Sequence, residues 1–118
     1  MNTPTSFPTR MFQVWIYTVG HQSLLIRSPI GEIDSTNIDL IMTGVKYMAL
    51  PTIMRGLYVE QATAEEVREV SDIIGKQIPA GHVRILVTGG QRFIVVASSM
   101  QFSENENDFF SNPFDLYP

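Results

Sequence analysis

Cysteine is absent from this chain of 118 residues. A chain without cysteine can have neither a disulfide framework nor a zinc or iron–sulfur site with cysteine ligands. Its two histidines, His21 and His82, lie in no metal-ligand spacing such as HxH or HExxH. We therefore expect no metal and no cofactor. Lack of cysteine is also typical of a reducing compartment, so we expect a cytoplasmic protein.

Long apolar runs and basic clusters are missing as well. No run approaches the roughly 18–20 apolar residues that cross a bilayer, and residues 1–10 lack the apolar core of a signal peptide. The net charge is −4, and four of the twelve acidic residues lie after Gln101, where there is no Lys or Arg. The rest of the chain is balanced, so it has no basic stripe for nucleic acid or an anionic membrane. We therefore expect neither a nucleic acid nor a membrane as a partner.

Local catalytic motifs are also lacking. There is no GxSxG nucleophile elbow, and Gly89-Gly90 is followed by a strand-like segment instead of the Lys and helix of a phosphate loop. The paired acids Glu65 and Glu66 lie in the first turn of a predicted helix, where helix capping explains them. The sequence therefore favours a protein that is not an enzyme.

Short segments of alternating apolar and polar residues dominate the chain, which is typical of strands with one buried face. The densest apolar stretch is 38–60, which Gly44, Pro51 and Gly56 divide into pieces of strand length. The predicted strands are 12–18, 23–28, 38–43, 45–50, 56–60, 83–88 and 91–98.

The segments 83–88 and 91–98 form the clearest predicted hairpin. Their two-residue Gly89-Gly90 loop sets the register, so Thr88 should lie opposite Gln91 and Leu86 opposite Phe93. Both faces of this hairpin are largely apolar. We expect it to lie mid-sheet, or to have its second face covered by another layer or another chain.

One helix is predicted at about 64–74. Thr63 and Glu66 have the spacing of a capping box, and Gly75 is suited to end the helix. Val67, Val70 and Ile74 form an apolar stripe that should lie on the sheet.

These elements predict one α+β domain over residues 1–100, with a mainly antiparallel, bent sheet of five to seven strands and one helix. Residues 1–10 are expected to be a mobile lead-in, and residues 101–118 an acidic C-terminal tail with aromatic residues. The alternative architecture is a small β-barrel or sandwich with the helix as a plug.

Two functional hypotheses follow. The first is a non-catalytic protein-interaction module that binds either a second copy through its sheet, as a homodimer, or a different protein. The aromatic residues of the tail would bind the partner or a groove of the chain's own body; they are Phe109, Phe110, Phe114 and Tyr117. The alternative is a small-molecule-binding protein or enzyme with a pocket between sheet and helix. The residues expected at that pocket are Tyr47, Arg55, Tyr58 and His21.

Overall fold

The computed structural model describes residues 6–106, which contain eight strands and one α-helix. The elements are β1 (Ser6–Thr18), β2 (Ser23–Ser28), β3 (Asn37–Thr43), β4 (Tyr47–Ala49), β5 (Ile53–Gln61), α1 (Ala64–Ile74), a 3₁₀ helix (Ala80–His82), β6 (Val83–Thr88), β7 (Gln91–Val96) and β8 (Ser99–Asn105). The strands form one open antiparallel sheet in the order β4-β7-β6-β5-β1-β2-β3-β8. The predicted α+β class with a bent antiparallel sheet is confirmed, with one strand more than expected.

The long strand β1 joins the two halves of the sheet. Its first part pairs with β5 and its last part with β2, and its register shifts between Phe7 and Met11 and again between Val14 and Ile16. Such bulges bend a strand and increase its twist. The bend explains how the two halves can enclose one core between their inner faces.

The main core draws on both halves of the sheet. Its buried residues are Phe12, Leu24, Ile26, Ile38, Leu40, Met42, Val45, Met54, Leu57, Leu86, Val95 and Ala97. Each large apolar side chain of this kind contributes roughly 1.5–3 kcal/mol when it is fully buried. The two halves of the sheet face each other here, so the side chains of their own strands form the core.

The helix α1 covers the outer face of β6 and β7. Val70 lies in a second buried cluster with Val83, Ile85 and Val96. The helix is therefore not the plug of the alternative architecture. The register of this hairpin is as predicted, with Thr88 opposite Gln91. Both of its apolar faces are covered within the chain, one by the main core and the other by α1.

The capping box at the start of α1 is confirmed. The Thr63 hydroxyl accepts from the Glu66 amide at 3.1 Å, and the Glu66 carboxylate accepts from the Thr63 amide at 2.9 Å. Glu66 also accepts two hydrogen bonds from the Arg92 guanidinium, at 3.0 and 2.8 Å, and Arg92 pairs with Glu60 as well. The bonds from Arg92 are the main reason why the pKa of Glu66 is lowered to about 2. This cluster attaches the first turn of α1 to β5 and β7.

Replacing Glu66 with glutamine tests this attachment. Glutamine keeps an acceptor for the capping box but loses the charge that pairs with Arg92, so we expect a loss of about 1 kcal/mol of stability at pH 7. The folded-state pKa of Glu66 is lowered, so its contribution is complete above the unfolded value near 4.5 and disappears as the pH falls towards 2. Urea denaturation at several pH values between 7 and 2 measures both effects.

Glu65→Gln is the matched control for this experiment, because it removes the same charge from the same helical turn. It should cost only a few tenths of a kcal/mol. Equal costs for the two variants, or a Glu66→Gln deficit that persists unchanged at pH 2, would contradict the assigned role of Arg92.

The two ends of the domain differ from the expected boundaries. Ser6–Arg10, expected in a lead-in, lie in β1, where Pro8 falls within the register shift and needs no ladder hydrogen bond. The boundary expected at residue 100 falls inside β8, so residues 101–105 belong to the sheet. Residues 1–5 and 107–118, with the rest of the predicted tail, lie outside the described residues.

Candidate functional site

The strand β8 is a long edge of the sheet. All seven of its residues pair with β3 without a register shift, from Ser99 opposite Thr43 to Asn105 opposite Asn37. Among the strands of residues 6–106, β8 is the last in the sheet order and has β3 as its one neighbour. The opposite edge, β4, has only three residues. Short edge strands are one way in which proteins avoid unwanted pairing, so β8 is the edge suited to pairing.

The sequence of β8 lacks the usual features that block pairing at an edge. Proteins protect such strands with lysine, proline or bulges, and Ser99–Asn105 contains none of these. Its one charged residue, Glu104, lies near the end of the strand and accepts a hydrogen bond from Thr36 at 2.6 Å. The strand β8 is therefore nearly uncharged and pairs with β3 without a bulge.

The inner face of β8 is apolar and packs on β1. Met100 and Phe102 lie against the main core, and the Phe102 ring is 5.2 Å from that of Phe7. Phe7 in turn contacts Phe12 edge-on at 5.7 Å. Both β8 side chains are half-buried.

A buried polar network attaches the end of β8 to β3 and β2. The Arg27 guanidinium donates two hydrogen bonds to the Asp39 carboxylate, at 2.6 and 3.0 Å, and neither side chain is exposed. The side-chain amide nitrogen of Asn105 donates to the same carboxylate at 2.8 Å. The side-chain carbonyl of Asn105 accepts from the side-chain amide of Asn37 at 3.0 Å. Asp39 therefore compensates a buried cation and holds the last residue of β8 at the same time.

Arg27 depends strongly on this carboxylate. Its guanidinium lies 5.5 Å from the centre of the Trp15 ring, in a cation–π contact. Its third nitrogen, Nη1, is buried and has no hydrogen-bond acceptor within residues 6–106. Asp39 is thus the anion that balances this charge, and we infer that the network is structural and fixes the position of the edge.

Among the surface grooves formed by residues 6–106, three lie beside the sheet or the helix. One of about 500 Å³ lies where the end of β5 and the start of β6 approach β8, and it is lined by Val59, Glu60, Arg84 and Met100 among others. Burial lowers the pKa of Arg84, which donates to the carbonyls of Ala97 and Ser98 at 3.2 and 3.0 Å. A shallow groove of about 560 Å³ follows α1, and a third of about 200 Å³ lies between α1 and β7.

The structure does not bring the four predicted ligand residues together. Tyr47 lies on β4 and lines the groove of about 200 Å³ between sheet and helix. Arg55 and Tyr58 are exposed on β5, and two strands separate β5 from β4. His21 is exposed in the turn between β1 and β2. They occupy three separate regions of the fold, and Tyr47 is the one that lines a groove between sheet and helix.

The predicted partner residues of the tail, Phe109, Phe110, Phe114 and Tyr117, lie outside the described residues. Within residues 6–106, no group of three or more His, Asp or Glu side chains could hold a metal ion. No helix in that range is long and apolar enough to cross a membrane. Comparison with family models, curated proteins and solved structures found no match to this chain.

Sequence reasoning missed the network and the edge strand. Arg27 and Asp39 each occur inside a predicted strand of mostly apolar residues. Charged residues are almost never fully buried unless they are paired, so opposite charges in two such strands could have indicated a buried ion pair. In β8, Met100 and Phe102 alternate with Gln101 and Ser103, but the acids that follow concealed this pattern.

Proposed function

We propose that this protein is a non-catalytic protein-interaction module that binds its partner through its sheet, at the edge strand β8. The observation that carries the proposal is that β8, the last strand in the sheet order, is seven residues long and pairs with β3 without a shift, whereas the strand at the other end has only three residues. Adding a strand to an exposed edge supplies main-chain hydrogen bonds, while side chains on alternate positions give specificity. The cysteine-free sequence supports a reducing, cytoplasmic setting for this binding.

The chemistry of the described surface also favours binding over catalysis. The grooves described above along residues 6–106 are all open, and the four polar residues expected at a ligand pocket lie apart. The charge-balanced body gives no reason to expect a nucleic-acid partner. A partner protein therefore remains the best-supported class of ligand.

Lysine at the centre of the edge should block binding. Gln101 is exposed on β8, and lysine on an edge strand opposes pairing because its charge must stay hydrated. The wild-type chain is immobilised and exposed to a cell extract to which free copies of the same chain have been added. We expect it to retain one or more proteins from this mixture. Gln101→Lys should retain about ten-fold less, corresponding to roughly 1.4 kcal/mol of lost binding free energy. Quantitative mass spectrometry of the retained proteins measures this difference.

The matched control is Met48→Lys on the opposite edge, since Met48 is also exposed on an edge strand. It should retain the same proteins as the wild type. Equal losses for the two lysine variants, or no retained protein at all, would contradict the proposal. In the same assay, Phe110→Ala and Phe114→Ala test the predicted contribution of the tail.

A second candidate function rests on the groove of about 500 Å³ beside β8. Its volume lies within the usual range of small-molecule sites. Its lining contains one acidic residue, Glu60, and one basic residue, Arg84. A metabolite screen by thermal shift distinguishes the two functions. A small ligand that raises the melting temperature of the wild type but not of Arg84→Ala would favour this second function.

A further inference from the structure

We infer that the outer face of β1–β3 is a docking surface for residues 107–118 of the same chain. This face carries Trp15, Leu25, Arg27, Asp39 and Ile41. Leu25 lies opposite Ile41 and Arg27 opposite Asp39, so these four side chains share one face, and Trp15 lies over Arg27. The inference concerns a face of the sheet instead of its edge, and it goes beyond the proposed function.

Both faces of β2 and β3 are buried. All six residues of β2 and the first six of β3 are buried, although alternate residues point to opposite faces. The main core buries the inner face. On the outer face, Leu25, Arg27 and Asp39 are fully buried and Ile41 is 3% exposed. An uncovered sheet face leaves its side chains partly in water, so a further layer covers this one.

The helix and the nearest loop of residues 6–106 do not provide this layer. The helix α1 lies on β6 and β7, and β5 and β1 separate those strands from β2. Leu25 and Ile41 belong to neither of the two buried clusters described above. The loop between β2 and β3 leaves its large apolar residues, Ile30 and Ile33, 41% and 96% exposed. The apolar cover of this face therefore comes from another segment.

The polar and aromatic residues around Asp39 show that this face is occupied. Interactions in addition to those given above are made by Trp15, Asn37, Ser103 and Asn105. All four lie on the outer face, because Asn37 alternates with Asp39 on β3, Ser103 lies opposite Asp39 and Asn105 opposite Asn37. A face that is buried and engaged in the single chain favours an occupant from the chain itself over a partner protein or a second copy.

Residues 107–118 have the composition and the reach for this position. Residues 1–5 contain one large apolar residue, Met1, whereas residues 107–118 contain five large apolar or aromatic residues: Phe109, Phe110, Phe114, Leu116 and Tyr117. The chain leaves β8 at Asn105, whose side chain binds Asp39 on this face. Leu25 is two strands and four residues of register away from Asn105. That distance is about 17 Å, and twelve extended residues span about 40 Å.

The fluorescence of Trp15 tests whether this segment covers the face, because Trp15 is the one tryptophan of the chain. The test variant is the full chain with four substitutions: Phe109→Ser, Phe110→Ser, Phe114→Ser and Tyr117→Ser. We expect acrylamide to quench Trp15 at least about two-fold more strongly in this variant than in the wild type, since the loss of apolar cover returns the face to water. The matched control, Asn107→Ser/Asn112→Ser, changes the same segment without removing an apolar residue and should leave the quenching constant unchanged.

Nuclear Overhauser effects in the wild-type chain provide a second measurement that does not depend on the folding of a variant. The methyl groups of Leu25 and Ile41 should show contacts with phenylalanine ring protons that are absent when the four aromatic residues are replaced. The methyl groups of Ile33, which is 96% exposed, should show none. A mixture of labelled and unlabelled copies separates contacts within one chain from contacts between two chains.

Three outcomes would overturn the inference. The first is equal quenching of Trp15 in the test variant and the wild type. The second is an absence of methyl–ring contacts at Leu25 and Ile41 in the purified chain, which would leave the face to a different protein. The third is contacts that occur only between labelled and unlabelled copies, which would make a second copy the occupant. None of these outcomes decides whether β8 binds a partner, which Gln101→Lys tests separately.

Discussion

Replacing Asp39 with alanine should destabilise the fold by about 3–5 kcal/mol, because it leaves the Arg27 charge buried without its partner. Asp39 accepts both hydrogen bonds of the Arg27 fork, and Arg27 Nη1 already lacks an acceptor within residues 6–106. Domains of this kind are stable by about 5–15 kcal/mol, so the variant would lie close to unfolding. Urea denaturation at pH 7 measures the loss. Hydrogen exchange should show the largest increase in β8, because Asn105 loses its bond to the same carboxylate.

Two further variants test whether the stability loss comes from the buried ion pair or from removing any aspartate. Asp34 also pairs with an arginine, Arg10, at 3.4 Å, but its side chain is 41% exposed. Asp34→Ala should therefore cost no more than about 1 kcal/mol. The double variant Arg27→Met/Asp39→Leu should be more stable than Asp39→Ala, because apolar residues replace both charges together. An Asp39→Ala cost below that of Asp34→Ala would refute the assigned role of the pair.

Replacing Gly56 with alanine should cost about 2–4 kcal/mol, for a conformational and a steric reason. Gly56 has a φ of +73°, where a side chain costs about 1–3 kcal/mol. A Cβ atom at this position would also lie 2.8 Å from the Pro8 carbonyl oxygen, which belongs to the backbone of β1 and cannot rotate away. The added Cβ would therefore push β1 and β5 apart at the bulge between Phe7 and Met11. Thermal or urea denaturation measures the cost.

Gly90 provides the control for Gly56. It has a similar φ of +75° in the turn between β6 and β7, and a Cβ there would meet nothing within 4 Å. Gly90→Ala should therefore show the conformational cost alone, about 1 kcal/mol. We expect Gly56→Ala to cost at least about 1 kcal/mol more, as strain and clash add. Two equal costs would mean that β1 and β5 are not in the close contact described.

The elements best predicted from the sequence are those with local signals. The helix Ala64–Ile74 has the predicted bounds, because Thr63, Glu66 and Gly75 act within one or two turns of the chain. The register of the hairpin β6–β7 was also predicted, since its two-residue loop leaves little freedom. Both depend on residues that are neighbours in the sequence and need no knowledge of the rest of the fold.

The candidate site could not be predicted in this way. The edge strand β8 is defined by its place beside β3, and Asn105 and Asp39 meet although 66 residues separate them in the chain. The predicted ligand residues failed to converge for the same reason. Arg55 and Tyr47 lie on strands that the sheet order separates, and no local pattern contains that order. The aromatic residues of the tail stay a prediction, since they lie outside the described residues.

The sequence by itself determined the α+β class, the helix with its cap, the β6–β7 hairpin and the overall charge balance. Each follows from side-chain periodicity or from turn and cap chemistry over a few residues. Only the tertiary structure decided which strands lie at the edges, which charges are buried, and how the bend in β1 lets the two halves of the open sheet pack around one core. These features depend on contacts between distant segments, and their free energies arise when the whole sheet has assembled.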